Sequence, residues 1–143
     1  MDLPEPEKAL REAYRVLKPG GFFQFSIEHP CFKTPHLKKR RNLSGKTYAV
    51  EIGKYFEHTD GEIEEWIFGN TPLSIKNKTP KFQIPNFHRT LSFWINETIK
   101  AGFHIEALQE PRPTEEQVKE KPSLQSAREV GYFLQVCGGK RVS

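Results

Sequence analysis

Residues 7–30 constrain the fold most, because a helical pattern, a helix stop and an alternating strand follow one another there. Leu10 and Tyr14 recur at helical spacing, and Pro6 stands early in the helix, where its missing N–H costs nothing. The run Lys18-Pro-Gly-Gly ends the helix, since proline disfavours a helical residue before it and glycine supplies the positive φ of a sharp turn. The segment predicts one helix-to-strand step of a layered α/β fold.

A second step of the same kind is predicted near the C-terminus. Leu91 and Trp94 begin a helical pattern that Gly102 ends, and residues 103–108 then alternate with one clearly apolar face. A loop rich in Pro, Glu, Lys and Ser is predicted at 110–128. The nearly continuous apolar run at 130–137 is typical of a buried central strand.

Residues 31–87 separate the two steps and are too long for an ordinary connection. Residues 48–56 and 62–68 are strand-like, and Asp60-Gly61 between them is a strong hairpin signal. A third strand is predicted at 81–87. We therefore expect an inserted antiparallel β subdomain.

The two helix-to-strand steps also resemble a known family. Residues 15–23, Arg-Val-Leu-Lys-Pro-Gly-Gly-Phe-Phe, resemble the junction before the fifth strand of class I S-adenosylmethionine-dependent methyltransferases, most of all methyltransferase type 11. Residues 88–103 resemble the helix after strand five of that family and its entry into strand six. The resemblance implies an incomplete Rossmann-like methyltransferase sheet, made of strands five to seven with flanking helices. The last strand is expected to lie antiparallel between the other two.

The family's cofactor-binding elements have no counterpart before Glu7, where neither a glycine-rich turn after a strand nor an acidic strand end is present. The resemblance therefore implies that 1–143 is one partial domain, the C-terminal, substrate-side half. The start Met1-Asp-Leu-Pro resembles the family's link from strand four to the next helix. S-adenosylmethionine is the cofactor expected of the complete enzyme, and this chain alone is expected to bind it weakly or not at all. No cofactor-binding residue is assigned.

Candidate catalytic residues follow the first strand, since ligands of open α/β sheets bind beyond the carboxyl ends of the strands. Glu28 and His29 can orient a substrate hydroxyl or take its proton. The alternative is that both side chains simply cap the strand end.

Candidate substrate-binding residues lie in and beside the insert. His88 and Arg89 precede the second helix, where they either contact the substrate or tie the insert to the core. Tyr55 and Trp66 belong to a set of aromatic residues that form either a wall over the acceptor or the apolar face of a hairpin. The other members of that set are Tyr48, Phe56 and Phe68.

Composition narrows the partners. Much of the formal charge of +4 comes from Lys33 and residues 38–41, which we interpret as a solvated loop; the run lacks the interleaved aromatics of single-strand binders and argues against a nucleic-acid partner. Binding of RNA by this run remains a third hypothesis.

Cys31 and Cys137 have no metal or redox spacing and indicate a reducing compartment. No apolar run approaches the roughly 20 residues of a membrane helix, so we expect a cytoplasmic protein.

The sequence thus predicts the substrate-side portion of a methyltransferase that transfers a methyl group to a small-molecule acceptor. The alternative function is a non-catalytic module that assembles through an exposed sheet edge, either as a homodimer or with a missing N-terminal half.

Overall fold

The computed structural model describes residues 3–67 and 71–142, which form two hairpins and an α/β core. The helices are α1 Pro6–Val16, α2 Leu73–Lys76, α3 Leu91–Lys100, α4 Glu115–Glu120 and a 3₁₀ helix Pro122–Arg128. The strands are β1 Phe22–Glu28, β2 His36–Arg41, β3 Thr47–Gly53, β4 Glu62–Trp66, β5 Phe82–Asn86, β6 His104–Gln109 and β7 Phe133–Gly139.

The core sheet has three strands in the order β1-β7-β6, and β7 is antiparallel to both neighbours. Val136 lies in its middle, opposite Phe25 on one side and Leu108 on the other. This order confirms the prediction that the last strand lies antiparallel between the other two. The molecule is an α/β protein, as predicted.

Helices α1 and α3 cover one face of this sheet. Trp94 of α3 packs among Ile27, Leu134 and Val136, all of them buried. β7 is the central strand of the sheet, as predicted, and its burial alternates: Leu134 and Val136 are buried, whereas Phe133 on the second face is 52% exposed. Alternate residues of a strand face opposite ways, and both core helices lie on the same side.

The turn from α1 into β1 is closed by a contact from the C-terminus. Gly20 has a φ of +75°, and its N–H donates to the carbonyl of Lys140. The Lys140 ammonium donates at 2.8 Å to the carbonyls of Tyr14 and Leu17, two of the acceptors that a helix end leaves without partners. These bonds fix where β1 begins.

The insert consists of two separate antiparallel hairpins, β2–β3 and β4–β5. The predicted hairpin across Asp60-Gly61 is therefore wrong: the Thr59 hydroxyl and the Gly61 N–H both donate to the carbonyl of Asn86, which joins this turn to β5. The basic run 38–41 is part of strand β2 and not a loop, although its residues are solvent-exposed as predicted. Arg40 is paired there with Glu51 of β3.

The segment 110–128 contains α4 and the 3₁₀ helix, so its prediction as a loop is wrong. Thr114 and Gln117 form a capping box, a helix-start signal that the sequence carries. The 3₁₀ helix holds the first hairpin, since the Gln125 amide exchanges two hydrogen bonds with the backbone of Thr47. The second hairpin, in contrast, faces the end of β1.

Candidate functional site

A cavity of about 750 Å³ separates the C-terminal end of β1 from the β4–β5 hairpin. Its size suits a small molecule. The core sheet contributes Ser26, Ile27, Glu28 and Phe133, the hairpin contributes Glu64, Trp66, Ile84, Pro85 and Asn86, and Leu3 completes the lining. The walls are thus mostly apolar, with a polar edge where the sheet and the hairpin meet.

The polar edge is an ion-pair network centred on Glu64. Its Oε1 accepts from the Lys33 ammonium at 2.8 Å, and its Oε2 accepts from the Asn86 side-chain amide at 3.0 Å. The same ammonium lies 3.9 Å from Glu28 Oε1. These hydrogen bonds, that from Lys33 first, lower the pKa of Glu64, so Glu64 is an anion at neutral pH.

A second cavity of about 350 Å³ lies on the other side of this network. Lys33 and Asn86 line it together with Thr34 and the buried His88. The network therefore forms the partition between two cavities and holds the hairpin at a fixed distance from the sheet.

His29 lies away from the larger cavity, because consecutive residues of a strand end point to opposite sides. It is buried, its Nε2 lies 2.7 Å from Glu110 Oε1, and its Nδ1 accepts from the Cys31 N–H at 3.2 Å. An Nδ1 that accepts leaves the ring proton on Nε2 for Glu110. His29 thus connects the ends of β1 and β6.

His88, Arg89 and Tyr55 meet at the start of α3. His88 Nε2 bonds to the carbonyl of Tyr55 at 2.8 Å, and Arg89 donates to the carbonyl of Thr59 at 3.1 Å. The Tyr55 hydroxyl accepts from the Leu91 N–H, and burial raises the pKa of Tyr55. All three residues tie the insert to the helix. For His88 and Arg89 this is one of the two interpretations that the sequence left open, whereas for Tyr55 the sequence predicted only a wall over the acceptor or the apolar face of a hairpin.

Residues 1–25 match the family model of a methyltransferase domain. A crystal structure of an S-adenosylmethionine-dependent methyltransferase from Mesorhizobium loti superposes with a TM-score of 0.69 at 25% identity, covering 96% of this chain and 56% of that one. A protein assigned to the same activity in Listeria monocytogenes gives 0.66 and 25%, with coverages of 94% and 55%. The chain resembles S-adenosylmethionine-dependent methyltransferases. It spans about half the length of these two methyltransferases, and no curated protein matches it.

The candidate residues of this methyltransferase-like chain separate into three places. Glu28 and Trp66 share the larger cavity, His29 contacts Glu110 outside it, and the remaining three lie at the start of α3. Phe68 is outside the described residues. Which of these residues contacts a substrate stays a prediction.

Sequence reasoning missed Lys33, Glu64 and Asn86, which join the sheet to the hairpin. The sequence carries one signal for Glu64: it lies two residues before Trp66 on β4, and alternate residues of a strand share a face. The spacing of residues along the chain does not predict that β4 pairs with β5, the contact that brings Asn86 to Glu64.

Two further findings concern residues 3–67 and 71–142. No group of three or more His, Cys, Asp or Glu side chains in these ranges is arranged to hold a metal ion. No helix there is long and apolar enough to cross a lipid bilayer.

Proposed function

We propose that this chain is the substrate-side portion of an S-adenosylmethionine-dependent methyltransferase, a partial domain over residues 1–143 with an inserted, β-rich substrate-side region at 31–87. The observation that carries the proposal is the β1-β7-β6 sheet with its reversed central strand, together with the 96% coverage of this chain by the Mesorhizobium loti structure. The 56% coverage of that protein supports a partial, incomplete Rossmann-like sheet. The two unpaired cysteines support a reducing, cytoplasmic location.

In this proposal the cavity beside β1 receives a small-molecule acceptor. Glu28 contacts the acceptor from the strand end, and Trp66 packs against it. His29 holds the strand end in place through Glu110, and His88, Arg89 and Tyr55 fix the insert on α3. Positioning of the acceptor toward the activated methyl group then supplies much of the rate.

A chimera tests the proposal. The chain is fused behind the N-terminal part of the Mesorhizobium loti protein that precedes the matched region, and methyl transfer from labelled S-adenosylmethionine to a panel of small amines and phenols is measured. We expect transfer by the chimera and none by either part alone. A folded chimera that binds no cofactor would contradict the proposal.

A second candidate function is assembly through β1. Among the described strands, only β7 pairs with β1. The N–H of His29 and the carbonyl of Gly21 both bond toward β7, so Gln24, an odd number of residues from each, directs its backbone groups to the other edge. An exposed edge of this kind favours pairing with a second copy.

The mass in solution tests this alternative. Light scattering at high concentration is expected to show a dimer if the edge assembles, and Gln24→Pro, which removes one outward N–H, is expected to return the monomer. A monomer at every concentration would exclude the homodimer.

A further inference from the structure

We propose that the β2–β3 hairpin is a binding surface for single-stranded nucleic acid. The basic strand β2 contacts the phosphates of the bound strand, and Tyr48 of β3 stacks on its bases. This surface is separate from the larger cavity, because none of the described lining residues of that cavity belongs to the hairpin. Binding here is therefore independent of the proposed methyl transfer.

The positive charge of the chain is concentrated on this hairpin. Residues 36–53 contain one carboxylate, Glu51, and five basic residues. The basic residues are Lys38, Lys39, Arg40, Arg41 and Lys46. The whole chain has 22 basic and 18 acidic residues, which leaves 17 of each outside the hairpin. The formal net charge of +4 thus lies on the hairpin, where it attracts polyanions.

Three of these cations are not neutralised by the protein itself. Lys38, Arg41 and Lys46 are exposed, and their side chains have no hydrogen-bond or ion-pair partner within residues 3–67 and 71–142. Glu129, which follows the neighbouring 3₁₀ helix, accepts from Gln125 and from none of the three. The three cations are therefore available for phosphate groups.

The carboxylate of the hairpin is already occupied. Glu51 pairs with Arg40 and lies 3.3 Å from His36 Nε2, so it does not compensate the remaining cations of β2. Lys39 donates at 3.0 Å to the Ser126 hydroxyl, which is a neutral acceptor and leaves the positive charge in place. This contact also holds the hairpin on the 3₁₀ helix.

Tyr48 supplies the aromatic ring that the basic run of the sequence lacks. The pairing of the hairpin shifts between Arg40, which lies opposite Ala49, and Arg41, which lies opposite Thr47. Tyr48 is therefore the extra residue of β3 at this bulge, across from the step between the two arginines. It is 60% exposed. Proteins that bind single strands combine such exposed rings with a cationic surface.

The cations follow the strand and do not gather at its tip. Residues 38–41 span about 10 Å of an extended strand, whose only partner among the described strands is β3. Because alternate residues of a strand face opposite ways, charge lies on both sides of this open edge, which suits a flexible polymer running along it. A bilayer would meet only the turn, where Leu43 is a single exposed apolar side chain. The arrangement favours nucleic acid over a lipid surface.

Fluorescence anisotropy tests the proposal on the 143-residue chain. The chain is titrated into a labelled oligouridylate of about 12 nucleotides, between about 50 and 200 mM salt. We expect saturable binding whose log K falls linearly with log salt. The expected slope is about −2 to −3, the value for three or four phosphates neutralised on a single strand.

Charge variants locate the binding. The first variant combines Lys38→Gln, Arg41→Gln and Lys46→Gln, which breaks no side-chain contact within the described residues. It should weaken binding about tenfold or more at about 50 mM salt and reduce the steepness of the salt slope by about 2. The control variant makes the same change at three exposed lysines outside the hairpin, with equal loss of net charge. These lysines are Lys78, Lys119 and Lys121. The control should stay within about twofold of wild type.

A ring variant tests the stacking separately from the charge. Tyr48→Leu keeps an apolar side chain but removes the ring, so it should weaken binding about fivefold or more at every salt concentration and leave the slope unchanged. Tyr48→Phe is its control and should bind as wild type does, because the ring is retained.

Three results would overturn the inference: no binding of the oligouridylate at low salt, equal losses in the hairpin variant and its lysine control, or equal binding by Tyr48→Leu and wild type. Sedimentation with phosphatidylserine vesicles, without binding of the oligonucleotide, would assign the hairpin to a lipid surface and would overturn it as well. None of these results bears on methyl transfer, which the chimera tests through its cofactor.

Discussion

Gly102→Ala is expected to destabilise the protein severely, because Gly102 lies directly under the ring of Tyr14. Its φ is +109°, and a Cβ there would come within 2.7 Å of Tyr14 Cζ and 2.9 Å of Cε1. The ring is fixed from two other sides: it meets Phe103 edge-on at 5.1 Å, and the Lys140 ammonium lies 4.6 Å from its centroid. The contact joins α1 to the end of α3, and so supports the arrangement that positions β1.

Two contributions determine how much Gly102→Ala lowers the free energy of unfolding. A non-glycine residue at this φ costs about 1–3 kcal/mol, and displacement of a packed ring adds about 1–3 kcal/mol. Together they predict a loss of about 2–6 kcal/mol in the free energy of unfolding, or a fall in Tm on the order of 10 °C for a chain of 143 residues. Urea unfolding followed by circular dichroism measures the first quantity directly.

Gly45→Ala is the matched control. Gly45 has a φ of +78° in the turn between β2 and β3, with no atom within 4 Å of an added Cβ. It carries only the backbone cost, which we expect to be about 1–2 kcal/mol. Equal losses for Gly45→Ala and Gly102→Ala would refute the packing of α1 against α3 through Tyr14.

Three further predictions concern single contacts, each measured by chemical unfolding. Lys33→Met should cost about 1 kcal/mol near pH 7. Because Lys33 lowers the pKa of Glu64, this contribution is present above the unfolded-state pKa of about 4.3 and is lost as the pH falls through the lower folded pKa; a difference from wild type that persists in strong acid would contradict it. His29→Leu should cost about 1–3 kcal/mol because the Cys31 N–H loses its acceptor, whereas unchanged stability would exclude the positioning role. Lys140→Met should cost about 1–2 kcal/mol by removing both hydrogen bonds to the end of α1. Lys100→Met, which removes only an ion pair with Glu97 on the same helix, is the control and should cost about 0.5 kcal/mol or less.

The core of the fold could be predicted because its signals are local. Helix α1 ends where Lys18-Pro-Gly-Gly directs it to end, and Thr90 caps α3 as a helix-start residue should. The antiparallel position of β7 came from resemblance to a family, since no spacing in this chain encodes which strands are neighbours. Local residue patterns thus predicted the helices and strands of the core, and the resemblance to a family predicted the order of the strands in the sheet.

The insert could not be predicted because its signals are long-range. The charge of the run 38–41 predicts exposure, which is correct, but not the pairing with β3 and the contact of Lys39 with Ser126 that make it a strand. Asp60-Gly61 carries a hairpin sequence, but its backbone bonds to Asn86, 25 residues later. Residues close in space and far apart in sequence produce no periodicity that a single sequence displays.

Only part of the candidate site could be predicted, because some of its residues meet through contacts between distant segments of the chain. Glu28 follows from the rule that ligands bind beyond the carboxyl ends of strands, and it does line the cavity. The residues that complete the polar edge, Lys33 and Glu64, meet only after the hairpin folds back onto β1. His29 was predicted at the same site because it follows Glu28 directly in the sequence. It points to the other side of the strand end, however, and contacts Glu110 outside the cavity.

Calorimetric titration with S-adenosylhomocysteine, of the chain alone and of the chimera side by side, measures whether the chain needs a cofactor-binding half. We expect no saturable heat for the chain up to about 1 mM and a Kd on the order of micromolar for the chimera. Equal affinities, or none for a folded chimera, would contradict the assignment of this chain as the substrate-side portion of a methyltransferase.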